Sequence, residues 1–208
     1  MALIASETDL CNQALMRLGD KKITSAQFTT PDDDKSTLCK ELYDDFIHSR
    51  LTEYTWRFTL KKDELTENAT APENEWTNAY DFPADIIGGP YAVFDSTAVG
   101  ANPIKGFEIF GTQVFTDVET CVIDYQQTIA VGSWPGYFSN YVIAALTSIL
   151  AFPITDQQNT AEHWERIAYG LPAEKRRGGL FGQARHLDSM YTTSQAIEDY
   201  SLIAVRQS

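Results

Sequence analysis

The sequence predicts an α+β protein: a bundle of about four helices from residues 6–56 and 135–190, with a β-rich insertion at 57–133. Three observations predict it. Cys39, Leu42, Tyr43, Phe46, Ile47, Leu51 and Tyr54 recur at the spacing of one helix face within residues 32–56. Residues 137–152 are apolar on nearly every side, as in a helix at the centre of a bundle. Between these blocks the chain alternates over short runs punctuated by Gly and Pro, the pattern of strands. The expected organisation is a bundle from 1–56 and 134–191, the insertion at 57–133, and an extended C-terminal arm at 192–208.

Each element follows from local chemistry. Ser6 with Asp9 reads as a capping box, and Leu10, Cys11, Ala14, Leu15 and Leu18 make one face of a short helix that Gly19 ends. Residues 21–30 form a connector whose Ile23 and Phe28 tuck into the core. The long helix is expected from Asp32 to Trp56, about 36 Å. Thr30 and Pro31 supply its cap and first position, with Asp32, Asp33 and Asp34 at the positive end of its dipole. Its polar face carries Lys40, Glu41, Asp44, Asp45, His48 and Glu53.

Residues 57–65 read as a strand and the polar residues 66–75 as a loop. Tyr80-Asp81-Phe82-Pro83 leads into a second strand, Ile86 to Phe94, interrupted by Gly88-Gly89-Pro90. Phe107–Phe110 and Gln113–Thr116 flank Gly111-Thr112, a two-residue hairpin signal. Residues 120–127 alternate and complete what reads as a meander. Pro153 is expected to end the apolar helix and Thr155-Asp156 to start the next. Ala161, Trp164, Ile167 and Ala168 share a face of that next helix, which Gly170-Leu171-Pro172 breaks. The run Lys175-Arg176-Arg177-Gly178-Gly179 reads as basic and loose, with a short helix over 180–191 after it. Trp56, Trp76, Trp134 and Trp164 are read as core or hinge packing.

The chain has 208 residues, 16 basic against 29 acidic, for a net charge of −13. Such a surface repels nucleic acid and anionic membranes rather than gripping them. Cys11, Cys39 and Cys121 are odd in number and lack a C-x-x-C pair, which argues against a disulfide framework or zinc site and for a reducing compartment. The N-terminal MALIASETD lacks the basic n-region of a signal peptide, and the apolar run 142–152 is too short to span a bilayer.

Motifs for chemistry are sparse. His48, His163 and His186 have no second ligand at metal spacing, and the sequence has no G-x-S-x-G, P-loop or G-x-G-x-x-G. No cofactor is expected. Glu162 and Glu165, one helical turn apart, are the candidate carboxylate pair for an enzymatic reading; solvated side chains on a polar face are the plainer one. Lys175, Arg176 and Arg177 form a candidate partner-facing basic loop. The ten Tyr and eleven Phe leave aromatic surface for subunit contacts.

The order of elements resembles the tail tubular protein A family, the head-to-tail adaptor proteins of short-tailed phages. The resemblance runs from Ser6-Glu7-Thr8-Asp9-Leu10-Cys11-Asn12-Gln13-Ala14-Leu15 and Leu18-Gly19 through Leu38-Cys39, Leu42-Tyr43 and Phe46. It continues at Tyr54-Thr55-Trp56-Arg57-Phe58, Tyr80-Asp81-Phe82-Pro83-Ala84-Asp85, Phe152-Pro153-Ile154-Thr155 and the terminal Tyr200-Ser201-Leu202-Ile203-Ala204-Val205-Arg206. One departure is the interruption by Gly170, Pro172 and Gly178-Gly179 of a helix that usually runs on in that family.

The resemblance implies a structural protein of the virion neck, made in the host cytoplasm, with no enzymatic reaction. It implies a homo-oligomeric ring, commonly of twelve copies, between the portal protein and a tail nozzle protein resembling tail tubular protein B. DNA would pass through the lumen without specific binding. The arm residues Tyr200, Leu202, Ile203, Val205 and Arg206 would contact the portal or a neighbouring subunit. Two other classes compete: a virion-associated peptidoglycan-degrading enzyme using Glu162 and Glu165, and a helical binding module that forms no ring.

Overall fold

The computed structural model describes residues 4–70, 72–98, 100–174 and 177–191. Helix α1, Glu7–Arg17, opens on Ser6, whose side chain accepts from Asp9 N, and Gly19 follows it at φ +79°. A short helix α2, Ser25–Thr29, lies inside the expected connector, held by a capping box between Thr24 and Gln27; Ile23 and Phe28 are buried as read. The long helix α3 spans Asp34–Thr52, about 28 Å, shorter than expected. Its cap is Asp33 rather than Thr30. The Asp33 carboxylate accepts from Ser36 N at 2.7 Å and Ser36 Oγ accepts from Asp33 N, whereas Thr30 closes α2. Cys39, Tyr43, Phe46, Ile47 and Leu51 are buried; Leu42 is only half-buried at the margin of the stripe.

A turn of 3₁₀ helix, Arg57–Thr59, replaces the first residues of the expected strand. The strands are β1 Leu60–Glu64, β2 Asn78–Asp81, β3 Ile86–Phe94, β4 Phe107–Phe110, β5 Gln113–Thr116 and β6 Val122–Gln127. Tyr80 and Asp81 thus belong to a strand of their own. The strands do not form a meander: they make two antiparallel three-stranded sheets, ordered β1-β6-β3 and β2-β5-β4. The last strand pairs between the first and third, a non-local arrangement that alternation alone does not specify. The β4–β5 hairpin closes on Gly111-Thr112 with Gly111 at φ +58°, and the β3–β6 register shifts around Gly88, both as read.

The apolar helix α4, Gly136–Thr155, is longer than its apolar run. Pro153 lies within its last turn rather than ending it, because Pro removes one ladder bond and the turn is completed before Asp156, at φ +55°, leaves it. By length and composition α4 could cross a bilayer, but its middle is buried against α1, α3, α5 (Gln158–Tyr169) and α6 (Gly179–Met190). Gln157, not Thr155 or Asp156, precedes α5. Six helices and two small antiparallel sheets are therefore present among the described residues, a mixed α and β fold with more helices than the expected four or so.

Two apolar clusters hold this together. The larger is helical and centred on Trp56, fully buried, with ring centroids 4.9 Å from both Tyr54 and Phe138; Phe138 lies in turn 5.0 Å from Trp134. Trp76 and Trp164 are only half-buried. The smaller cluster lies between the sheets: Leu65, Tyr80, Val93, Val114, Cys121, Ile123 and Tyr125. Gln126 of β6 joins the two parts. Buried, it directs its amide protons to Leu51 O, Tyr54 O and Thr59 Oγ1 at 3.3, 3.1 and 2.9 Å, satisfying carbonyls freed at the end of α3. The three cysteines are buried and free; burial pushes the Cys121 thiol up to about 11.

Candidate interaction surface

The basic loop of the sequence joins α5 to α6. Gly170, at φ +82°, ends α5, and Gly178 N donates to Tyr169 O at 3.0 Å. A Cβ on Gly179, itself at φ +58°, would stand 2.6 Å from Gly170 N and Ile167 O. Only glycine fits there, so the glycines are not loose. They bring the start of α6 into close contact with the end of α5. Arg177 is exposed on it and Leu171 is 57% exposed; Lys175 and Arg176 lie outside the described residues. So do the arm residues Tyr200, Leu202, Ile203, Val205 and Arg206.

A cleft of about 780 Å³ lies on another part of the surface. Its lining comes from the start of α1, the middle of α3 and the segment leading to α4. Ile47 and Leu51 supply a buried apolar floor with Ile129 beside them, while Glu7, Asp44, Asp45 and His48 are exposed on its lining. Asp44, Asp45 and His48 belong to the outward face of α3 that the periodicity marked as solvated, and Glu7 comes from α1. The apolar segment 129–134 beneath them is what converts a helix face into a groove.

Glu162 and Glu165 line two further clefts along α5, of about 270 and 640 Å³. Glu162 is exposed, accepts from Gln158 Nε2 at 3.1 Å and lies 3.9 Å from Arg166 Nη2, a helix-surface arrangement. Behind the smaller cleft sits a polar knot that sequence reading missed. Arg50 pairs with Glu53 at 3.0 Å and donates to Tyr141 Oη at 3.2 Å and to Tyr169 Oη. Tyr141 Oη donates to Glu53. Burial first, and then the charges and phenols around it, hold the Tyr141 phenol far above its usual range. The knot ties α3, α4 and α5 together. Nothing in the apolar periodicity marks it, although an Arg at the edge of a buried helix face, facing tyrosines on a second helix, is its only trace.

Asp188 is a second missed residue. Fully buried on α6, it accepts from Arg57 N at 2.9 Å and Tyr137 Oη at 2.7 Å, so it anchors α6 to the turn after α3. Among the described residues no group of three or more His, Cys, Asp and Glu could hold a metal ion.

Several large apolar side chains face solvent. Ile149 and Phe152 do so on α4, Met190 and Tyr191 at the end of α6, and Ile109 and Phe110 on β4, with exposures from 43% to 74%. These lie on separate elements rather than in one small cluster. No family model matches the chain, and no curated protein matches it at a significant level.

Proposed function

We propose that this protein is a structural head-to-tail adaptor resembling tail tubular protein A, a ring subunit set between the portal and the tail nozzle of a short-tailed phage. The observation that carries the reading is the ordered resemblance, whose residues fall at joints of the fold. Trp56 of the Tyr-Thr-Trp-Arg-Phe segment is the hub of the helical cluster, and Arg57 N holds buried Asp188. Tyr80 of the Tyr-Asp-Phe-Pro segment is fully buried in the sheet cluster, and Phe152-Pro153-Ile154-Thr155 closes α4. In this reading α1 and α3–α6 act as one bundle, the strands between Leu60 and Gln127 are its insertion, and residues 192–208 are an arm that grips the portal or the next subunit. The role is structural, without a catalytic step, and belongs to the virion neck.

The exposed apolar side chains support this reading, because a ring subunit needs two different contact faces as well as surfaces for its axial partners. The net charge of −13 suits a wall past which DNA slides without being held. The purified protein is expected to give no gel shift with duplex DNA at physiological salt. Deleting residues 195–208 is expected to leave the melting temperature unchanged and to abolish attachment to portals. Full-affinity portal binding by the truncated chain would remove the arm from the account.

A further inference from the structure

We propose that Cys11 and Cys39 form a redox-sensitive latch: hydrogen peroxide joins them in a disulfide that ties α1 to α3, and a thiol reductant reopens it. The latch does not depend on the adaptor reading. Contacts at both ends set α1 and α3 side by side and antiparallel. At one end Lys35, in the first turn of α3, pairs with Asp20, just after α1, at 2.8 Å. At the other, Glu7 and Thr8 at the start of α1 line the same cleft as Tyr43 and Ile47 of α3. Cys11 stands one helical turn after Glu7, and Cys39 one turn before Tyr43. This register brings the two thiols opposite each other, and they are hydrogen-bonding partners. Both are buried in the helical core, Cys11 at 0% and Cys39 at 1% exposure. Cys121 belongs to the separate cluster of the sheets.

The pair divides the two steps of the reaction between its sulfurs. The Cys11 thiol donates to the Cys39 sulfur, and that bond holds Cys39 below the ordinary thiol range; the same bond, with burial, holds Cys11 above it. Cys39 is therefore the sulfur that meets the oxidant as thiolate. It attacks one oxygen of the peroxide and the O–O bond breaks. The expelled hydroxide takes up the proton that Cys39 released and leaves as water, with a sulfenic acid on Cys39. The Cys11 sulfur then attacks the Cys39 sulfur. The S–S bond forms, the S–O bond breaks, and a second water carries off the Cys11 proton. The two thiols together lose two electrons and one peroxide gains them. Burial of both sulfurs shields them from bulky thiol reagents, which makes a small peroxide the fitting oxidant. The disulfide closes the chain between residues 11 and 39, a loop that contains α2, and so constrains the unfolded state. In a reducing compartment the pair stays as thiols; outside one the latch closes.

The test uses the full-length chain, treated with hydrogen peroxide, quenched with catalase, then unfolded in iodoacetamide and read by mass spectrometry. Cys121 is expected to be the one alkylated cysteine of the three, with a tryptic cross-link joining the Cys11 peptide to Ser36–Lys40 within a single chain. The melting temperature should rise by about 5–10 °C and fall back on addition of dithiothreitol. Cys121→Ser should keep both the link and the shift, whereas Cys11→Ala and Cys39→Ala should each lose both. Alkylation of all three cysteines after peroxide, a sulfinic acid at Cys39 without a link, or links only between chains or through Cys121 overturn the proposal. A link that leaves the melting temperature unmoved overturns it as well. The peptide map of the unmutated chain decides the matter even where an alanine variant fails to fold.

Discussion

The helical part and the sheets are stabilised in different ways. The helices share one contiguous core, in which α4 touches four others and Trp56 contacts rings from before and after the strands. The sheets share a smaller cluster of seven buried residues among those described and carry exposed apolar residues on β4. Two contacts link them: Gln126 of β6 reaches back to the end of α3, and Ile87 of β3 packs against the helical core. The comparison teaches that the helices can set the stability of the whole while the sheets depend on their junction with the helices. Small three-stranded sheets are marginal without such support.

Perturbing the helical hub gives the largest expected effect. Phe46→Asp places a carboxylate at a 7% exposed site and should cost several kcal/mol out of a total of roughly 5–15, enough to abolish soluble protein. Leu42→Asp, at a half-buried site, should be milder, and Glu41→Ala close to neutral. Trp56→Ala should cost about 3–5 kcal/mol in urea unfolding. An unchanged melting temperature for Phe46→Asp would contradict the helix packing.

A smaller effect probes the sheets. Tyr80→Ala removes a buried ring and its hydrogen bond to Val118 O, and should destabilise by about 2–4 kcal/mol. If it splits the unfolding transition while Trp56→Ala does not, the sheets unfold on their own. Next comes the junction. Gln126→Leu strips the α3 carbonyls of their donor and should cost about 1–3 kcal/mol. It should also raise amide exchange in β1 and β3 before exchange in α4. Uniform exchange through both parts would dissolve the distinction.

The smallest effect is electrostatic. Hydrogen bonds from Lys35, from Ser36 and from Gln113 hold the carboxyls of Asp20, Asp33 and Asp81 below the ordinary aspartate range. Their stabilisation is therefore complete above the unfolded value of about 3.9 and is lost as pH falls through the lower folded values. Asp33→Asn should flatten the acid limb of the stability profile in that window. An unchanged limb would remove Asp33 as a contributor.

Much of the helical part was legible in the sequence, because an apolar stripe at helical spacing states which face is buried. Most strand positions and the Gly111-Thr112 hairpin were legible for the same local reason, although β2 was read as the lead-in to β3 and residues 57–59 as strand. The insertion of β6 between β1 and β3 was not, since register and order are set by residues distant in the chain. The polar joints were not legible either: Arg50, Gln126 and Asp188 carry no periodic signal, and their partners lie 51 to 131 residues away for Asp188 alone. The glycines flanking the basic loop looked loose because their close approach, Gly179 against Ile167 O, is a tertiary fact. Of the groove, the face of α3 was visible as charge, but its apolar floor required the packing of 129–134.

The most direct test of the adaptor reading is to mix the purified chain with a short-tailed phage portal and image the product by electron microscopy with class averaging. The account predicts a ring of adaptor subunits, commonly twelve, stacked coaxially on the portal and absent when residues 195–208 are deleted. Bare portals beside free monomeric chain, at concentrations where the folded state is verified, would contradict it.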